Sequence, residues 1–202
     1  MTDEFITAIP PLEKFEARFD FVRNGTLKSN AAIYLRYITL LIASSDQLKE
    51  DNLSYTLYKD IIVYTASIVE SIFEYSIREY IVMGKAKEEA LGFTWHYTEL
   101  SQINHDCSDF EGAKFTVVKK EKRPKSTSHD LGFDDINSAA KRLKILDNQL
   151  YAVATGLRKK RNYIHLSSLE KSSDDYFIKS DVDDALNGAG KIIDRVQYVL
   201  LK

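Results

Sequence analysis

The residues best suited to chemistry are gathered in one decapeptide, Leu157 to Leu166, which reads Leu-Arg-Lys-Lys-Arg-Asn-Tyr-Ile-His-Leu. On a helix, Arg158, Arg161, Asn162 and His165 fall at i, i+3, i+4 and i+7 and project from one face. Leu157, Ile164 and Tyr163 supply apolar anchoring on the neighbouring faces. Such a face offers two fixed positive charges, an amide and an imidazole that titrates near neutral pH. Together they form a kit for gripping a phosphodiester and moving a proton beside it. The same basic run also suits a plain structural role, since cations near a helix C-terminus complement the macrodipole.

Other constellations are weaker. Glu70 and Glu74 lie one turn apart. Glu74 can pair with Arg78 at i+4 on the surface, but Glu70 sits among Ile68, Val69 and Ile72. A carboxylate in that setting needs a partner. An arginine of the basic helix is a candidate, which would make Glu70 a support behind the site. His105-Asp106-Cys107 has no second matched pair of ligands, so no metal site is expected. Trp95, His96 and Tyr97 could stack a base, although packing over the helices is the commoner use of such rings. There is no Gly-rich phosphate loop, no nucleophile elbow and no activated-cysteine setting.

The elements that must position these groups read as helices. The chain has 202 residues and suits a single domain spanning 1–202. Its net charge of -2 excludes a uniformly basic nucleic-acid binder, so any polyanion contact must come from local patches. The single cysteine forbids an internal disulfide and fits a reducing compartment. The N-terminus carries no signal-peptide pattern, and no run approaches the length of a membrane span. A cytoplasmic location without membrane contact is expected.

Prolines occur only at 10, 11 and 124, leaving long stretches free of breakers. Helices are expected from Pro11 to about Arg23, stopped by Asn24-Gly25, and from Ser29 to about Leu48. A third, from about Ser54 to Met83, carries a stripe of Tyr58, Ile61, Ile62, Tyr64, Thr65, Ile68, Val69, Ile72, Phe73, Ser76 and Ile77, wide enough for a central buried helix. Residues 85–131 read as an insertion of mixed character. Lys85–Leu91 and Thr98–His105 are expected as short helices, Gly92–Tyr97 as loop, Phe115–Val118 as strand-like, and Lys119–Lys125 as an exposed mobile loop, its charges better explained by solvation than by nucleic-acid contact. A helix is then expected over Phe133–Ile145. Asp147 caps the next, running through His165. Gly156 inside it suggests close packing against a neighbour. A polar connector, Ser167–Lys179, leads to a last helix opened by Ser180 with Asp183 and running to Leu200.

This layout resembles the HEPN superfamily (higher eukaryotes and prokaryotes nucleotide-binding). The likeness rests on Ala-Ser-Ile-Val-Glu-Ser-Ile-Phe at 66–73 in a long apolar helix, the decapeptide ending a later helix pair, and the capped C-terminal helix. It covers roughly residues 30–83 and 132–200, with the 85–131 insertion outside it. The superfamily signature is Arg, four to six residues, then His, with a polar residue often following the Arg. Arg158 to His165 has the long spacing, whereas Arg161-Asn162 has the polar start but only three residues before His165.

The resemblance implies an all-α, up-and-down helical bundle. It implies a metal-independent endoribonuclease of toxin–antitoxin, abortive-infection or antiviral-defence type, with no cofactor. RNA would be the substrate, and an antitoxin or other defence-system protein a partner. It further implies a homodimer whose facing signature helices build one composite cleft. Arg161 and Arg158 would hold the phosphate, Asn162 would orient it, and His165 would exchange the proton. The alternative is a non-catalytic HEPN-like module for dimerisation, nucleotide binding or partner binding.

Overall fold

The computed structural model of the chain describes residues 9–48, 51–100, 118–125, 131–162 and 177–202, the side chains of 51–53 excepted. These residues are mostly helical, with one two-stranded ribbon. The helices are α1 (Leu12–Glu16), α2 (Gly25–Ser45), α3 (Asp51–Val82), α4 (Phe133–Arg142), α5 (Asn148–Asn162) and α6 (Lys179–Leu201). The strands β1 (Phe93–Glu99) and β2 (Val118–Pro124) lie between α3 and α4.

The central element is α3. Ile61, Ile62, Ala66, Val69, Ile72 and Phe73 are fully buried along it, at the spacing of one broad helical face. It packs against α2, α4, α5 and α6. Tyr64 meets the rings of Tyr34 and Tyr37 of α2 edge-on, at centroid distances of 5.1 and 5.0 Å. The amphipathic α6 contributes Val182, Ala185, Ile192, Ile193 and Val196 to the same core.

Several boundaries differ from the sequence reading for local reasons. Asn24 starts α2 instead of stopping the preceding helix, because its side chain accepts a hydrogen bond from the Leu27 N–H at 2.9 Å. The preceding segment is broken into α1 and a 3-10 turn over Ala17–Phe19, with Phe19, Phe21 and Val22 turned into the core. The Arg23 N–H donates to Tyr75 Oη at 2.9 Å, which ties this segment to α3. At the start of α6 it is Asp181, not Asp183, that reaches back, accepting from the Ile178 N–H at 3.3 Å. The cap expected for α5 is present, with Asp147 accepting from the Leu150 N–H at 2.8 Å.

The largest correction concerns the insertion. Phe93–Glu99 is a strand, not a loop followed by a helix, and Val118–Pro124 is its antiparallel partner, not a loop. Lys85–Leu91 contributes only a 3-10 turn, Glu88–Leu91. Residues 101–117, including Cys107 and its neighbours, and 126–130 lie outside the described residues.

A second correction concerns the glycines. A Cβ at Gly156 would meet nothing within 4 Å, so that residue is not the site of close packing. The close approach is at Gly188 of α6, where a Cβ would fall 2.5 Å from Val153 Cγ1 of α5. This contact brings α6 against the helix that carries Arg158 and Arg161.

Candidate functional site

The inward face of α5 is short. Ala154 and Leu157 are its buried residues, and Arg158 and Arg161 follow at i+4 from each. Both arginines leave the core toward α3 and α4, which carry the carboxylates they approach. On α3, Glu70 stands one turn before Phe73. On α4, Phe133 meets the Phe73 ring at 6.4 Å. That aromatic contact seats the first turn of α4, with Asp134 and Asp135, beside the Glu70 turn.

The result is an open cleft of about 540 Å³ lined by Glu70, Gly132, Phe133, Asp134, Arg158, Arg161 and Asn162. Arg161 Nη1 donates to Glu70 Oε2. Burial pushes the Glu70 carboxyl above its ordinary range, and the Arg161 charge and hydrogen bond offset this only in part. Its side chain is 20% exposed and that of Arg161 36%. The pair therefore lies between a surface ion pair and a buried one. Arg158 Nε lies 3.4 Å from Asp134 Oδ1, within ion-pair range. That approach lacks hydrogen-bond geometry, and the buried Nε has no hydrogen-bond partner among the described residues.

Three of the four residues singled out on the basic helix, Arg158, Arg161 and Asn162, thus share one cleft with Glu70. Glu74 instead pairs with Arg78 on the surface. His165, with Tyr163 and Ile164, lies outside the described residues, as does most of the connector to α6.

No protein family, curated protein or solved structure matches the chain.

Asp134 was missed by the sequence reading as a cleft residue. It stands in the first turn of α4, where acidic residues are common for the dipole alone. Its place opposite Arg158 depends on how α4 crosses α5, which no local pattern reports. Lys160, on the adjoining side of α5, pairs with Asp181 of α6 and helps fasten the helix from behind.

Chemically, the cleft can hold an anion. The guanidinium of Arg161 spends one of its donors on Glu70 and keeps the others. Arg158 adds a second fixed cation, and Asn162 is exposed beside it. No helix among the described residues is long and apolar enough to cross a membrane.

Proposed function

We propose that the chain is a metal-independent endoribonuclease of HEPN-like type, working as a homodimer with a composite site. The observation that carries this reading is the gathering of Arg158, Arg161 and Asn162 in one open cleft. In the reaction, the ribose 2′-OH attacks the adjacent phosphorus and the 5′-oxygen of the next nucleotide leaves. A 2′,3′-cyclic phosphate is the first product. Arg161 takes up the charge that builds on the phosphoryl oxygens. Glu70 holds that guanidinium in place, which removes rotamer freedom before substrate arrives. His165, three residues beyond Asn162, exchanges the proton with the attacking or leaving oxygen. Two copies facing each other supply two imidazoles, one for each oxygen. A defence or toxin role, with an antitoxin-type partner, belongs to the same proposal.

A second reading draws on a specific feature of the cleft. Its two guanidiniums stand beside two carboxylates, Glu70 and Asp134, which cancel much of the local positive potential. That balance favours a non-catalytic module that dimerises or binds a nucleotide or a partner protein. Incubation of the purified protein with mixed RNA in EDTA, beside a His165→Ala control, separates the two readings. The ribonuclease reading expects cleavage by the unsubstituted protein alone. The module reading expects none by either.

A further inference from the structure

The ribbon of β1 and β2 stands outside the core, and its two faces differ in kind. In the antiparallel register Trp95 opposes Lys122, Tyr97 opposes Lys120 and Phe93 opposes Pro124. These residues therefore share one face. Thr94, His96 and Thr98 share the other with Arg123, Glu121 and Lys119. On that second face Glu121 accepts from Lys119 and from Arg123, whose Nη2 lies 2.7 Å away. Those hydrogen bonds hold the Glu121 carboxyl down at about 2. Both cations of this face are thus tied to its one carboxylate.

On the first face the lysines lie against aromatic rings instead of a carboxylate. Phe93, Trp95 and Tyr97 are 47, 52 and 56% exposed, against the expectation that such rings pack over the helices. Lys120 Nζ sits 4.2 Å from the Trp95 ring centroid and 5.7 Å from that of Tyr97, and Lys122 Nζ sits 4.5 Å from that of Phe93. Among the described residues neither lysine has a carboxylate within ion-pair range. Three solvent-facing rings, each with a lysine laid over it, therefore share this face with Glu99 at its far end, and the two lysines have no ion-pair partner among the described residues.

We propose that this face of the ribbon binds single-stranded RNA, with bases stacked on Trp95, Tyr97 and Phe93 and phosphates held by Lys120 and Lys122. The proposal deepens the ribonuclease reading, on which the choice of RNA rests. Spacing selects a single strand. Alternate residues of a strand stand about 6.8 Å apart, roughly twice the 3.4 Å rise of stacked bases. Successive rings therefore fit bases drawn apart from one another, which a duplex does not offer. Lysines without an ion-pair partner among the described residues suit a polyanion. Base–ring stacking and flexible lysines on the backbone are a sequence-tolerant way to hold a single strand.

The ribbon is also rooted beside the cleft. The Lys125 N–H donates to the Gly92 carbonyl at 2.9 Å, closing the base of the ribbon. Lys125 Nζ pairs with Asp135 at 2.6 Å. Asp135 is the neighbour of Asp134, which lines the cleft. The first turn of α4 thus holds both the cleft wall and the foot of the ribbon, so one strand can lie along the ribbon and enter the cleft.

Trp95 is the chain's single tryptophan, so its fluorescence reports this face alone. The probe is a 2′-O-methyl oligouridylate of twelve nucleotides, which lacks the nucleophilic 2′-OH and separates binding from cleavage. It is expected to quench Trp95 emission, while a duplex of the same length quenches weakly. By anisotropy of labelled probe, Trp95→Ala should weaken binding about tenfold, the loss of one stacked base. Lys120→Ala/Lys122→Ala should flatten the salt dependence by about 0.7 per charge removed. Lys119→Ala/Arg123→Ala removes the same charge from the other face and should change binding less than threefold. All these positions are on the exposed ribbon, so unchanged circular dichroism is expected throughout.

Absence of quenching, equal binding of duplex, or equal losses from the two lysine–arginine faces overturns the proposal. So does an emission shift on raising protein concentration alone, which would assign the face to a second copy of the chain. Quenching without any RNA cleavage would retire the ribonuclease reading and leave the ribbon's role standing. Cleavage with an indifferent Trp95 would do the reverse.

Discussion

Replacing Arg161 with alanine should destabilise the protein through Glu70, and the loss should depend on pH. Breaking a buried ion pair costs about 3–5 kcal/mol, and an exposed pair contributes about 0–1 kcal/mol. With Glu70 20% and Arg161 36% exposed, the coupling between them should be about 1–2 kcal/mol. The two single substitutions should not be symmetric. Arg161→Ala strands a carboxylate that burial already disfavours. Glu70→Gln leaves a guanidinium that can still reach water, so it should cost under about 1 kcal/mol. Adding Glu70→Gln to Arg161→Ala should therefore restore part of the stability.

The sign of the pH effect follows from the same burial. The folded-state pKa of Glu70 is raised, and loss of Arg161 raises it further. Between the unfolded value, about 4.3, and the raised folded value, the native state binds more protons than the unfolded state. Stability then falls as pH rises through that window. The deficit of Arg161→Ala relative to the unsubstituted protein should be largest at pH 8 and should shrink toward pH 5. Urea unfolding at both pH values, with the Glu70→Gln/Arg161→Ala protein as a reference lacking the titrating group, measures it. A coupling under about 0.3 kcal/mol, or a deficit that grows toward acid, would refute the reasoning.

The two glycines at and near the α5–α6 contact should respond oppositely. Gly156→Ala, with open space around the new methyl, should stabilise by up to about 1 kcal/mol through helix propensity. Gly188→Ala drives a methyl against the stiff Val153 side chain and should lose about 1 kcal/mol net, since about 1–3 kcal/mol of overpacking outweighs the propensity gain. Thermal melts of both proteins check the pair of signs. The homodimer should be visible by light scattering at high micromolar concentration, and a monomer there would count against the composite site. In the cleavage assay Arg161→Lys should be strongly impaired, because a point charge cannot reproduce a planar two-pronged grip. Arg158→Ala should be less impaired if Arg161 is the main clamp, and more if the longer spacing to His165 is the one used.

What could be read in the sequence was whatever one element dictates by itself. The stripe of α3 repeats over many turns, and of its positions from Ile61 to Phe73 all but the half-buried Tyr64 lie in the core. A carboxylate in that stripe had to find a cation, and Glu70 meets Arg161. The ribbon was hidden because its stability comes from pairing. Phe93-Thr94-Trp95-His96-Tyr97-Thr98 does alternate with a period of two, which was the available signal. The partner strand, Val118–Pro124, is too charged to show any core-facing pattern. It is held by backbone pairing and by lysines laid across the rings. Gly156 and Gly188 look alike in the sequence, and only the crossing of α5 and α6 decides which one touches a neighbour.

The central claim is tested most directly by RNA cleavage in EDTA with end-group analysis. The account predicts cleavage that survives EDTA, stops when the scissile ribose is replaced by deoxyribose, and leaves 2′,3′-cyclic phosphate or 3′-phosphate ends. It predicts a loss of at least about 10²-fold in His165→Ala, the usual scale for a general acid–base group. Undiminished cleavage by His165→Ala, or no cleavage by the unsubstituted protein, would contradict it.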